Sequence, residues 1–270
     1  MCSERIISLL VVSVLTLSCS VKEDRSGCPC ALCLDLTAVR EKVRDEDYPI
    51  LLRVEGERTD YTGWLDEEDC SGFFQIVVPD KRVRVWVVAG DEGLFDGGVL
   101  IPAGYDSPPL TWWSGEVDTS GETAFCKVLP QKDYCLLTLR IDGPFGNRMP
   151  YQLTVRGRIG GFARPGEPFP GDFSYTPPIS VPLPGGKLQD LVREYQVFLP
   201  RQTDNSLRIE VESFGGGRRS FALGEYMAAS GYDWTAGDLE DLTVEIDCAL
   251  TDILLSGGIW GPPVHHEIVF

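Results

Sequence analysis

Alternation of apolar and polar side chains recurs along the sequence and predicts short β-strands. Residues 82–87 alternate strictly as Arg-Val-Arg-Val-Trp-Val, which predicts arginines in solvent and valines in a core. Residues 30–36 alternate in the same way, with Cys30, Leu32, Leu34 and Leu36 on one face. Further strands are predicted at residues 50–54, 73–78, 82–89, 123–129, 134–141, 151–158, 195–199, 207–213, 218–223, 242–246 and 264–269.

Helical periodicity is not sustained anywhere, and only residues 223–229 are predicted to form a short helix. A dozen short strands without helical periodicity predict an all-β protein of two tandem antiparallel β-sandwich domains. One run of strands ends near residues 130–133 and another begins there. We therefore expect an N-terminal domain at residues 28–130 and a C-terminal domain at residues 131–270.

Two segments interrupt the strands and are predicted to be long surface insertions. Residues 160–184 are rich in proline and glycine, which favours a loop over a ladder. The aromatic residues of that loop are Phe162, Phe169, Phe173 and Tyr175. Residues 90–113 form the second insertion and end in Trp112 and Trp113. Exposed aromatic side chains on such loops would offer a binding surface, and the alternative is that the rings fold back to cap the sandwiches.

The N-terminal residues indicate a lipoprotein signal. Residues 6–17 are uncharged and too short to span a bilayer, as in the apolar region of a secretory signal. Leu15-Thr16-Leu17-Ser18-Cys19 resembles a bacterial lipobox, with Thr16 where leucine is usual. We expect a signal peptide at residues 1–18 and lipid on Cys19, whose acyl chains would contribute about 0.8 kcal/mol per buried methylene. A soluble secreted protein and an uncleaved N-terminal anchor are the alternatives.

A short charged segment follows the lipobox, and residues 19–27 are expected to form a lipidated tether. Lys22, Glu23 and Asp24 resemble the surface-export signal of lipoproteins in some anaerobic Gram-negative bacteria. This favours a position on the outer face of the outer membrane over one that faces the periplasm.

The charge balance limits the partners. The chain has 41 Asp and Glu against 24 Lys and Arg, for a net charge of -17. Such a field repels nucleic acid and anionic lipid surfaces, since both are bound through clustered Lys and Arg. We expect no nucleic-acid partner, and the membrane must be reached through a hydrophobic anchor.

Signals of catalysis are sparse. His265 and His266 are the only histidines, and neighbours on a strand point to opposite faces, so they cannot form one zinc or triad site. Residues 66–69 are all acidic but lack the alternating spacing of a calcium loop, which favours a solvated turn. Residues 215–219 lack the Gly-Lys-Ser/Thr of a phosphate loop and favour a hairpin turn. A glycosidase-like carboxylate pair stays open, because the sequence does not report separations. We expect no enzyme activity, metal or cofactor.

The cysteines give no catalytic signature. Cys30-Ala-Leu-Cys33 has the spacing of a redox motif but lies in a strand pattern, not at a helix N-terminus. With Cys2 lost in the signal and Cys19 lipidated, seven cysteines remain. We expect buried free thiols with one or two disulfides, whose pairing the sequence does not give.

Three segments carry a family resemblance. Cys19-Ser-Val-Lys-Glu-Asp-Arg-Ser-Gly-Cys28-Pro-Cys30, with the strand that follows it, resembles the start of the FimB-like fimbrial anchor lipoproteins of type V pili. Residues 129–142 resemble the first strand of that family's second domain, and residues 239–247 its closing region. The resemblance implies two transthyretin-like β-sandwich domains in an outer-membrane lipoprotein at the base of a fimbria, which it tethers and whose length it limits.

The resemblance also implies a mode of contact. Shaft subunits of these pili are thought to join when a strand of one completes the sheet of the next. Val264, Ile268, Val269 and Phe270 belong to an apolar terminal strand that we expect to contact a fimbrial shaft subunit. The alternative is an ordinary edge strand of the second domain. A different function, a surface-tethered module that binds a glycan or host protein, would use Trp112, Trp113 and the loop at residues 160–184.

Overall fold

The computed structural model describes residues 28–90, 93, 98–142, 151–164, 166–178, 193–213, 218–247, 252–256 and 264–266. These residues form strands and two short helices, α1 at Thr37–Lys42 and α2 at Leu223–Ala229. The strands of the first half are β1 Cys30–Asp35, β2 Ile50–Glu55, β3 Asp60–Leu65, β4 Phe73–Val78, β5 Arg82–Ala89, β6 Val99–Leu100, β7 Thr111–Asp118, β8 Thr123–Lys127 and β9 Gln131–Lys132. Those of the second half are β10 Tyr134–Asp142, β11 Tyr151–Arg164, β12 Glu167–Tyr175, β13 Arg193–Pro200, β14 Arg208–Ser213, β15 Arg218–Phe221, β16 Leu242–Asp247, β17 Asp252–Ser256 and β18 Val264–His266.

The alternating segments form strands as predicted. β5 covers the predicted residues 82–89, and Val83, Val85 and Val87 are buried while Arg82 and Arg84 are exposed. The helix predicted at residues 223–229 is also confirmed. The chain is mostly β, with several antiparallel sheets, which confirms the all-β sandwich class.

The two halves repeat one strand order. In the first half, sheet A has the order β4-β1-β8 and sheet B contains β3-β2-β5-β7. In the second half, sheet D contains β13-β10-β16 and sheet C has the order β12-β11-β14-β15. When β6, β9, β17 and β18 are set aside, each half has seven strands. The first of them pairs with the fourth and the seventh, and the second pairs with the third and the fifth.

The sheets are not wholly antiparallel. β1 pairs in parallel with β8, and β10 pairs in parallel with β16. Parallel neighbours need a long crossover connection, and the intervening strands of the opposite sheet supply it here. The predicted antiparallel sandwiches are thus observed with one parallel strand pair in each half.

Two hydrophobic cores lie between these sheets. The first is built from β1, β2, β5 and α1, and includes Leu32, Leu52 and Val39. The second is built mainly from strands of the second half, yet it also contains Val88, Ile101 and Leu110. Short strand β9 pairs with β7 of sheet B. Residues on the two sides of position 130 are therefore in direct contact, and the division into domains there stays a prediction.

The prediction of a loop at residues 160–184 is wrong for residues 160–164 and 167–175, which form strands. Residues up to Arg164 belong to β11, and β12 pairs with it in a bulged hairpin. β12 is an edge strand of sheet C, where prolines such as Pro168 and Pro170 are tolerated because one side needs no ladder bonds. Phe162 and Phe173 are buried in the second core.

Candidate partner-binding surfaces

Trp112 and Trp113 lie in strand β7, not on an exposed loop as predicted. They pair with Val88 and Val87 of β5, and as neighbours on a strand they point to opposite faces of sheet B. Trp113 packs against the first core and Trp112 against the second. The alternative that the sequence left open, rings that fold back onto the sandwiches, is the one observed for both residues.

Trp112 lines a cleft between the two halves that we call the Trp112 cleft. Its volume is about 650 Å³, and its lining residues also include Asp133, Gly166, Arg201 and Trp234. Trp234 packs edge-on against Tyr232, with ring centroids 4.7 Å apart. The cleft is of the size that small ligands occupy in proteins.

Arg201 holds one wall of the Trp112 cleft in place. Its guanidinium donates hydrogen bonds to Asp133 Oδ1 and to the backbone oxygens of Trp234 and Ala236, the last at 2.8 Å. Asp133 is 1% exposed, so the ion pair is almost fully removed from water. A buried pair with these extra hydrogen bonds fixes the loop that carries Trp234.

The C-terminal strands extend sheet D. β17 pairs with β16 and β18 pairs with β17, both antiparallel. Val264 of β18 lies opposite Leu255 in the ladder. The other predicted contact residues, Ile268, Val269 and Phe270, lie outside the described residues. His265 and His266 are consecutive residues of β18.

The outer face of sheet A carries exposed large apolar side chains that the sequence analysis missed. Phe73, Val77 and Phe125 are 70%, 62% and 74% exposed. Cys33 of β1 lies beside Phe125 in the ladder, and Asp35 of β1 lies opposite Phe73. The signal was present in the predicted strands, since every second residue of β4 and β8 faces outward.

The Cys30 and Cys33 thiols do not form a redox pair. Residues three apart on a strand face opposite ways, so Cys30 is fully buried in the first core while Cys33 lies on the outer face. All six described cysteines are free thiols, and the one or two expected disulfides are absent among them. Burial raises the pKa of Cys70 to about 11 and of Cys135 to about 12, which suits small hydrophobic core residues.

The acidic residues 66–69 form hydrogen bonds within their own segment. Asp66 Oδ1 accepts hydrogen bonds from the amides of Glu68 and Asp69, at 2.9 and 3.0 Å.

Within the described ranges, no group of three or more His, Cys, Asp or Glu is arranged to hold a metal ion. Within the same ranges, none of the helices has the length and apolar character needed to cross a bilayer. Cys19, Lys22, Glu23 and Asp24 lie outside the described residues.

No family model matches the chain, and no curated protein matches it. Solved structures do match over most of its length. The fimbrial anchor protein Mfa2 from Porphyromonas gingivalis aligns with a TM-score of 0.58 and 10% identity, over 88% of this chain and 99% of that one. A candidate adhesin from Bacteroides thetaiotaomicron aligns with a TM-score of 0.59 and 13% identity, over 90% and 99%.

A candidate polysaccharide-binding protein from Bacteroides thetaiotaomicron aligns similarly, with a TM-score of 0.60 and 12% identity, over 89% of this chain and 98% of that one. None of these three proteins is described as an enzyme. The resemblance to fimbrial anchor proteins is confirmed at the level of the fold.

Proposed function

We propose that this chain is a non-catalytic outer-membrane lipoprotein that anchors a fimbria to the cell surface and takes part in its assembly and length control. The observation that carries the proposal is the fold shared with the fimbrial anchor protein Mfa2 across nearly the whole of both chains. The contact to a shaft subunit is made by strand pairing at the C-terminal edge of sheet D.

The strand order supports that edge as the contact. The second sandwich completes the repeated order of seven strands at β16, and β17 and β18 are additional strands on its rim. In the described part of the chain, the far side of β18 has no paired strand. An open strand edge provides main-chain hydrogen bonds to an incoming strand, which is how β-augmentation joins proteins.

The membrane is reached through lipid on Cys19, with Lys22, Glu23 and Asp24 directing the protein to the cell surface. β1 begins eleven residues after Cys19, a span short enough to keep the first sandwich near the membrane. The net charge of -17 makes acyl chains, not basic side chains, the plausible means of attachment. Cys19→Ala is expected to release the protein from the membrane pellet and to abolish palmitate labelling.

The anchoring contact is tested by ending the chain at Trp260, which removes β18 and keeps β17. We expect the truncated lipoprotein to reach the membrane but to lose copurification of the shaft subunit after crosslinking on whole cells. Phe73→Ala, on the exposed face of sheet A, is the matched control and keeps the shaft subunit. Undiminished copurification by the truncated chain would refute strand pairing at this edge.

A second candidate function is favoured by the Trp112 cleft. A surface-tethered module that binds a glycan or host protein needs a concave site lined by aromatic and polar side chains, and Trp112 and Trp234 line such a site. One protein of the same fold is described as a candidate polysaccharide-binding protein. This function is compatible with anchoring, because the Trp112 cleft and the edge of sheet D are formed by different residues.

A further inference from the structure

The Trp112 cleft contains buried polar atoms that the fold does not satisfy. Trp112 Nε1, Trp234 Nε1, Asp133 Oδ2 and Gln202 Oε1 are buried and have no hydrogen-bond partner. All four residues line the cleft. A buried polar group without a partner is destabilising, so four at one place indicate a bound molecule or ordered water that satisfies them.

The unmet atoms have the chemistry of a hydroxyl-rich ligand. The two indole nitrogens are donors only, and an ionised carboxylate is an acceptor only. A molecule that satisfies both kinds must offer acceptors and donors close together, as the vicinal hydroxyls of a sugar ring do. The apolar faces of indole rings also suit the C–H faces of a pyranose.

The walls of the cleft are built to hold the two indoles. Gly166 has a positive φ of 75°, and a Cβ there would collide with the Trp112 ring, so glycine is needed to seat this indole. On the other side, Arg201 binds the backbone of the loop that carries Trp234. Both indoles are therefore held at the wall of the cleft, so binding needs only a small turn of each ring and costs less ordering than forming the site anew.

The charges of the cleft favour a neutral ligand. Arg201 is the one cation among the described lining residues, and its guanidinium is occupied by Asp133 and by backbone oxygens. Asp204 also lines the cleft, and its Oδ2 atom lies 4.0 Å from Nη1 of Arg158. An acidic sugar would find no available cation there and would meet the field of a chain at -17.

We infer that the Trp112 cleft binds a neutral oligosaccharide, with Trp112 and Trp234 as stacking and donor residues and Asp133 as an acceptor. This inference rests on the second candidate function and assigns it a site and a ligand class. Because these atoms are buried in the unbound structure, the inference requires small side-chain rotations on binding that expose them to the sugar hydroxyls, and such rotamer changes are common at interfaces.

The test uses the purified full-length mature chain on an array of neutral oligosaccharides of glucose, mannose, galactose and xylose, with uronic and sialic acid oligosaccharides beside them. The strongest neutral sugar is then titrated by calorimetry. We expect a Kd of about 1 mM or tighter, and a loss of at least about tenfold in Trp112→Ala. Trp234→Phe, which keeps an aromatic ring and removes the donor, is expected to weaken binding less.

Trp64→Ala is the matched control, because Trp64 is 50% exposed and is not among the residues that line the cleft. Should Trp112→Ala fail to fold by circular dichroism, Trp112→Phe and Trp234→Phe carry the test. Neutral-sugar binding that survives every cleft variant would overturn the inference and leave the second candidate function standing. Binding of acidic sugars alone would overturn the assigned ligand class, and no binding at all would overturn both. Fimbrial anchoring is measured separately by copurification and is unaffected by these outcomes.

Discussion

Lys42 and Asp238 form an ion pair that joins the two halves of the molecule. Lys42 Nζ lies 2.8 and 2.7 Å from the two carboxylate oxygens of Asp238, and it also donates to the backbone oxygen of Pro130 at 2.7 Å. Asp238 Oδ1 in turn accepts from the amide of Lys132 at 2.9 Å. A residue of helix α1 is thereby tied to the chain between the sandwiches and to the loop before β16.

This ion pair predicts a pH dependence. Partial burial by itself would raise the pKa of Asp238. The hydrogen bonds from Lys42 and Lys132 outweigh this effect, so the pKa is below its ordinary value of 3.8. A lowered folded pKa gives stability that is present above the unfolded pKa and is lost as pH falls through the folded one. We expect Asp238→Asn to melt below the parent at neutral pH, and the two to converge below about pH 4.

Thermal melts of both chains from neutral pH down to about pH 3 check this expectation. Asp45→Asn is the control, because its carboxylate is 79% exposed. A difference between Asp238→Asn and the parent that stays constant over the whole range would contradict the assignment.

A second prediction concerns the close approach of β11 and β12. A Cβ on Gly160 would lie 2.7 Å from Gly171 Cα, so the strands must separate to admit a methyl group. We expect Gly160→Ala to destabilise the fold by about 1–3 kcal/mol in urea unfolding, since overpacking forces backbone shifts. At Gly121 the nearest atom to a new Cβ is 3.7 Å away, so Gly121→Ala should leave the midpoint nearly unchanged. Equal effects at both sites would count against the hairpin geometry.

Cysteine labelling tests the assignment of β1. Under native conditions we expect a maleimide to modify Cys28, which is exposed, and Cys33 on the outer face of sheet A. Cys30, Cys70 and Cys135 are buried and should react only after denaturation. Peptide mass spectrometry of the reduced protein before and after unfolding gives the comparison. Equal native labelling of Cys30 and Cys33 would show that β1 does not alternate between core and surface.

The exposed apolar side chains of sheet A are expected to bind a hydrophobic dye. Phe125→Thr should lower the fluorescence of a bound hydrophobic dye, because it removes the most exposed ring of that face. Threonine favours strands, so stability should change by no more than about 0.5 kcal/mol. Leu100→Thr alters a side chain that is also exposed, at 71%, but lies in another sheet, and it should affect the dye less. A larger effect of Leu100→Thr would show that the dye does not bind mainly at sheet A.

Strand alternation made most of the architecture predictable. Segments such as β4 and β5 match their predicted bounds because one face of each is buried and period-two patterning survives in the sequence. β7 was missed because Ser114 and Gly115 interrupt its pattern, and β12 because Pro168 and Pro170 are tolerated only at an edge. Whether a strand lies at an edge depends on the whole sheet, so a short stretch of sequence does not show it.

The Trp112 cleft could not be predicted from the sequence, for a different reason. Trp112, Gly166 and Trp234 are far apart in the sequence, and their apposition depends on how sheets B and C meet. Trp112 was singled out from the sequence as an aromatic residue, but on the expectation of an exposed loop. Asp133 and Arg201 carried no signal, because a single acid and a single base in separate strand ends are common in any acidic chain.

The central position of β1 has a mechanical consequence. β1 is paired along its length with β4 on one side and with β8 on the other. A force applied to the chain before Cys28 acts along β1. The hydrogen bonds of β1 to β4 and to β8 are then loaded in shear at the same time. Among the described residues, β18 by contrast pairs with β17 alone. We therefore expect the N-terminal end of the fold to resist tension better than β18 does, so that a sustained load detaches β18 before it extracts β1.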